Sequence, residues 1–96
     1  MFGLHLYKEK TAKTLNNLGI VRMLLGETAK AVKDFRESLR LKQERYGAGS
    51  LEVADAAENM GKVCYRNKQF DDTVNYFGIA CQIHLKCRND LRAAEL

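Results

Sequence analysis

Ala12-Lys13-Thr14-Leu15-Asn16-Asn17-Leu18-Gly19 and Ala54-Asp55-Ala56-Ala57-Glu58-Asn59-Met60-Gly61 are two versions of one pattern. Each opens on alanine, carries an apolar residue at its fourth position, and closes on Asn, one apolar residue and Gly. Apolar residues three and four apart wind a single stripe along a helix. A glycine inside a helix costs roughly 1 kcal/mol relative to alanine. Its presence at the same point of both segments therefore implies that another helix crosses closely there.

The 42-residue offset extends outward from these segments. Comparing 12–45 with 54–87 aligns six identities: Ala12/Ala54, Asn17/Asn59, Gly19/Gly61, Val21/Val63, Val32/Val74 and Phe35/Phe77. Leu18/Met60, Ala31/Thr73, Ser38/Ala80 and Leu41/Ile83 are like-for-like exchanges. The matched positions are the small and apolar ones that helix packing constrains, which marks an internal repeat.

The stripes predict four helices, near 12–25, 28–46, 51–66 and 70–87. Leu15, Leu18, Val21 and Leu25 define the first, and Ala31, Val32, Phe35, Ser38 and Leu39 the second. Ala57, Met60, Val63 and Cys64 define the third, and Val74, Phe77, Ala80 and Cys81 the fourth. Gly26 ends the first helix and Thr28 is the expected N-cap of the second. Tyr46-Gly47-Ala48-Gly49-Ser50 is the clearest loop, with Ser50 capping the third helix and Glu52 in its first turn. Asn67 and Lys68 mark the next corner. Residues 1–11, with Phe2, Leu4, Leu6 and Tyr7, read as the tail of a partial upstream helix; 12–50 and 51–88 are the two repeats, and 89–96, from Asn89 and Asp90, the start of a further helix.

Composition agrees with an all-α chain. The 96 residues contain no proline or tryptophan, whereas a β-sandwich or barrel of many turns normally uses proline and glycine in them. The length suits one core and excludes a multidomain enzyme. No run of about eighteen apolar residues predicts a membrane span. Met1–Tyr7 is too short and too soon followed by Lys8, Glu9 and Lys10 for a secretory signal. Cys64, Cys81 and Cys87 are odd in number and lack C-x-x-C spacing, so they are expected as reduced thiols of a cytoplasmic protein.

Leu15-x-x-Leu18-Gly19, Gly26, Ala31, Phe35 and Ser38 resemble the tetratricopeptide repeat, and Ala57-x-x-Met60-Gly61, Thr73, Phe77 and Ala80 a weaker copy of it. The 42-residue offset and residues 12–19 look most like the longer variety found in kinesin light chains and related cargo adaptors. The resemblance spans about residues 12–87. It implies a right-handed stack of antiparallel helical hairpins whose small residues let helix A pack on helix B and on the next repeat. Departures are Arg22 and Cys64, where the family prefers a large aromatic or leucine, Lys68 in place of the turn glycine, and the absent closing proline.

The expected function is a non-enzymatic scaffold that binds an extended peptide segment of another protein in its concave groove. Lys13, Asn16, Asn17, Ile20 and Leu24 of the first repeat would face that groove, with Asp55, Glu58, Asn59, Lys62, Tyr65 and Arg66 of the second. An amide offers donors and an acceptor, so Asn16, Asn17 and Asn59 could bond a peptide backbone whatever its side chains; equally, they could bond within or between helices. Tyr65 is the expected aromatic anchor. Chaperone-binding relatives clamp a terminal carboxylate, and Glu58 at a clamp position argues against that partner class.

Other chemistries are not expected. His5 and His84 sit in no triad or H-E-x-x-H arrangement, and no phosphate-binding glycine loop occurs. Cys81, His84 and Cys87 recur every three residues, but a structural zinc needs a fourth ligand and only Asp90 is near in sequence, so they read as a half-buried stripe. No metal and no cofactor is expected. Lys30, Lys33, Arg36, Arg40, Lys42 and Arg45 would suit an RNA-binding repeat; Asp34, Glu37 and Glu44 threaded among them favour helical ion pairs, so nucleic acid is not an expected partner. A solenoid usually needs about three repeats for independent stability. Two whole repeats with ragged ends would thus be a piece of a longer array, or would form a homo-oligomer through the open ends.

Overall fold

The computed structural model describes the backbone of residues 2–95 and the side chains of residues 10–91. Four helices follow one another: α1 (Phe2–Leu24), α2 (Thr28–Tyr46), α3 (Leu51–Arg66) and α4 (Phe70–Glu95). α1 packs on α2, α2 on α3 and α3 on α4. The chain is therefore two antiparallel hairpins stacked through α2 and α3.

The stripes on α2 and α3 placed those helices where they are found. The outer two are longer than expected. Residues 2–11 continue α1 and are not the tail of a separate helix, and residues 89–95 continue α4 and do not start a new one. Neither junction holds a proline or a glycine, so the helix runs through. The side chains of Phe2, Leu4, His5, Leu6 and Tyr7, and those beyond residue 91, lie outside the described residues.

Both hairpin turns are Schellman closures. In the first, the Gly26 amide donates to the Met23 carbonyl and the Glu27 amide to the Arg22 carbonyl. In the second, Lys68 donates to Tyr65 and Gln69 to Cys64 in the same pattern. The turn residue must adopt positive φ, and does so at 85° in Gly26 and 62° in Lys68. Residue 27, not Thr28, caps α2, and its side chain makes no capping bond. The Thr28 hydroxyl instead donates to Asn67 Oδ1 at 3.1 Å, tying the first turn to the second. Ser50 caps α3 as its sequence suggests, accepting from the Val53 amide while its hydroxyl donates to the Gly47 carbonyl.

The core lies between α2 and α3. Val32, Phe35 and Leu39 on one helix meet Val53, Ala57, Met60 and Val63 on the other. Ala80 and Ile83 close it from α4, and Met23, Ile20 and Tyr76 pack at its margins. Glycines 19 and 61 are where the two hairpins are tightest. A Cβ on Gly19 would stand 2.9 Å from the Phe35 ring, and one on Gly61 would stand 2.5 Å from the Phe77 ring. The close crossing expected at both glycines is present, and in each hairpin it is the phenylalanine of the second helix that fills the space.

Candidate functional site

α1 and α3 lie side by side on one face of the stack, joined by a bond from Asn59 Nδ2 to Asn16 Oδ1 of 2.8 Å. The bond crosses between repeats, and its first-repeat member is Asn16, not Asn17, which the 42-residue register pairs with Asn59. Beside it a cavity of about 330 Å³ opens between α1, the C-terminal half of α2 and the start of α3. Lys13, Asn16 and Asn17 form one wall; Leu41, Lys42, Arg45 and Tyr46 form the other, and Glu52 closes one end. The Arg45 guanidinium lies 5.7 Å from the Tyr46 ring centroid, within range of a cation–π contact. Three cations against one carboxylate give the cavity a positive lining with two amides in it. Such a lining could hold an anionic or carbonyl-bearing group.

Besides Asn59, which bonds Asn16, the groove residues expected from the sequence divide into four groups. Lys13, Asn16 and Asn17 line the cavity. Asp55 and Glu58 stand on α3 facing His84 of α4, whose Nε2 lies 3.1 Å from Glu58 Oε1. Ile20 is half-buried and packs against the core. Leu24, Lys62 and Arg66 are exposed, and Tyr65 makes an edge-on contact with Phe70, centroids 5.7 Å apart, near the second turn. Leu41, Lys42, Arg45, Tyr46, Glu52 and His84 were not anticipated in this role. Their signal was the repeat register: Lys42 and His84 are equivalent positions, and an antiparallel second helix brings its C-terminal half back beside the N-terminal half of the first.

Asp55, Glu58 and His84 offer three ligand atoms within 4.8 Å of one another, so these residues could hold a divalent cation. They are half-buried to exposed, and the Glu58–His84 contact already partners two of them. Cys81, His84 and Cys87 do not form such a group among the described residues. The three cysteines are unpaired, and burial raises the Cys64 thiol pKa, with Asp72 adding to the rise. Part of the basic run of α2 is ion-paired: Arg40 bridges Glu37 and Glu44, and Lys30 lies 3.9 Å from Glu27. The hydrogen bond from Arg40 holds the Glu37 carboxyl below its ordinary pKa. Among the described residues, no helix is long and apolar enough to cross a membrane.

Two stacked helical hairpins, crossing at matched glycines and sharing an open face between their first helices, define a helical-repeat protein. The family model for the tetratricopeptide repeat matches residues 10–86, and the chain belongs to that family. Repeats of this family generally mediate protein–protein interaction and generally act as non-enzymatic scaffolds. No curated protein and no solved structure matches the chain.

Proposed function

We propose that the face formed by α1 and α3 binds an extended segment of another protein, and that the chain is a scaffold without catalytic activity. The observation carrying this reading is the cavity of about 330 Å³ beside the Asn16–Asn59 bond. Its amides can bond a guest backbone, its cations can hold a guest side chain, and Tyr46 supplies rigid aromatic surface at little entropic cost. The 42-residue register further suggests the kinesin-light-chain variety of the family, and three unpaired thiols suit the cytosol.

The test is to identify partners by proximity labelling with the full chain and repeat it with Asn17→Ala plus Lys42→Glu. Both side chains line the cavity without filling the core. Partners held in the groove are lost from the variant while its helical circular dichroism is kept. An unchanged partner set removes the groove as the binding surface.

A second reading is favoured by the open face of α4. Val32 and Phe35 are 5% and 1% exposed beneath α3, whereas their equivalents Val74 and Phe77 are 71% and 40% exposed. Leu18, Val21 and Leu24 are likewise exposed on α1. Copies meeting end to end through these faces would grow with concentration and not stop at a dimer, because the two faces differ. Light scattering across a hundredfold concentration range decides this: a constant monomer mass excludes it.

A further inference from the structure

The inner face has opposite charge in the two repeats at structurally equivalent positions. Lys13, Asn16 and Lys42 border the cavity of the first repeat. Forty-two residues on, the same three places hold Asp55, Glu58 and His84, which form the second cluster. Of the neighbours, Arg45 gives way to Cys87 in the same sense, whereas Glu52 gives way to Ala94 and Tyr46 to Arg88 in the opposite one. The first repeat thus presents a net cationic socket and the second two carboxylates beside an imidazole. The Asn16–Asn59 bond fixes the two patches next to each other. Asn16 and Asn59 touch at 2.8 Å between the patches, and an extended chain advances about 3.3 Å per residue. One guest segment can therefore reach both patches within about three residues.

We propose that the groove selects a partner segment of mixed charge, with an acidic side chain over the first repeat and a basic one about three residues away over the second. This rests on the groove reading above and adds the charge order of the guest. Like-charged segments are disfavoured because one of their two charges meets a patch of its own sign.

The probes are blocked ten-residue Gly/Ser peptides carrying one Asp and one Lys separated by two, three or four positions, with Asp/Asp, Lys/Lys and Asn/Gln peptides as comparisons. Titration into the ¹⁵N-labelled 96-residue chain at low salt reads weak binding from amide shifts. The best mixed peptide is expected to bind about fivefold tighter than either like-charged one, shifting amides near Lys13 and Asp55 together, with the preference falling at 0.5 M salt. In Asp55→Lys plus Glu58→Gln, the preference should pass to the Asp/Asp peptide.

Equal binding of Asp/Asp and mixed peptides to the parent chain, with groove amides shifting, overturns the charge order and leaves the groove reading standing. Shifts confined to residues away from α1 and α3, or none with any peptide, overturn both. A mixed-peptide preference abolished by EDTA means that Asp55, Glu58 and His84 work through a divalent cation, and overturns direct pairing with a basic side chain.

Discussion

The first repeat is held together by polar side chains where the second uses apolar ones. Arg22 on α1 places Nη1 3.0 and 3.2 Å from the two carboxylate oxygens of Asp34 on α2. The equivalent residues of the second repeat are Cys64, which is buried, and Tyr76, which packs against the core. The Ser38 hydroxyl donates to the Ala12 carbonyl at 2.7 Å in the first repeat, and its equivalent in the second is the buried Ala80, which has no hydroxyl. One backbone design thus accepts two chemistries at its hairpin seam, provided that each is complete. Removing Arg22 alone would leave the Asp34 carboxylate without its partner in a site where its side chain is only 10% exposed.

The two repeats also differ in what lies outside them. α3 covers the second helix of the first repeat, and no described helix covers the second helix of the second. The same side chain therefore carries different weight in each copy, and four comparisons test this.

The largest expected difference is at the paired phenylalanines. Phe35→Ala removes a fully buried ring and is expected to lower stability by about 3–4 kcal/mol, enough to unfold a domain of this size. Phe77→Ala removes a ring that is 40% exposed and should cost about 1 kcal/mol. Urea denaturation followed by helical circular dichroism measures both. Equal losses would mean that something covers α4 in solution.

The seam comes next. Arg22→Ala leaves Asp34 without its partner and is expected to cost about 2 kcal/mol, less than a fully buried pair because Arg22 is one-third exposed. The double change Arg22→Cys with Asp34→Tyr imports the second repeat's solution and should recover most of that loss. If the double variant is as unstable as the single one, the seams are not interchangeable.

The glycines give a smaller effect of opposite sense to their distances. Gly61 has the closer ring, yet Phe77 can swing toward solvent, whereas Phe35 is confined on all sides. Gly19→Ala is thus expected to destabilise by about 1–2 kcal/mol from overpacking. In Gly61→Ala the gain in helix propensity, about 1 kcal/mol, should roughly offset the ring's displacement. Melting curves that rank Gly61→Ala as the worse variant would show Phe77 to be as fixed as Phe35.

The smallest effect is at the turns. Lys68 at φ 62° bears the left-handed strain that Gly26 avoids, so Lys68→Gly should stabilise by about 1 kcal/mol and Gly26→Lys should destabilise by a similar amount. Differential scanning calorimetry would read the pair as opposite shifts in Tm; shifts of the same sign would break the equivalence of the turns.

Much of this architecture was legible in the residues themselves. The phase of the stripes placed α2 and α3, Ser50 declared itself as a cap, and the repeated Asn-x-Gly located the close crossings. The outer ends of α1 and α4 were not legible, because the stripe that reveals a helix depends on a buried face, and a helix continuing past its neighbours needs only the lack of a breaker. Thr28 misled because a hydroxyl near a helix start has other uses, and here Asn67 of the next turn is within its reach. The cavity was half visible: α1 supplied Lys13, Asn16 and Asn17 in register, while Lys42, Arg45 and Tyr46 come from a helix whose sequence suggested only a solvated ionic face.

The sequence alone determined the helical class, the hairpin count and the register of 42, since these follow from periodicity and from small residues recurring at one interval. Which amide meets which, which of two equivalent phenylalanines is covered, and how opposite charges gather on neighbouring repeats were decided only in three dimensions. Those outcomes depend on distances between residues some forty positions apart, and local propensity carries no information about them.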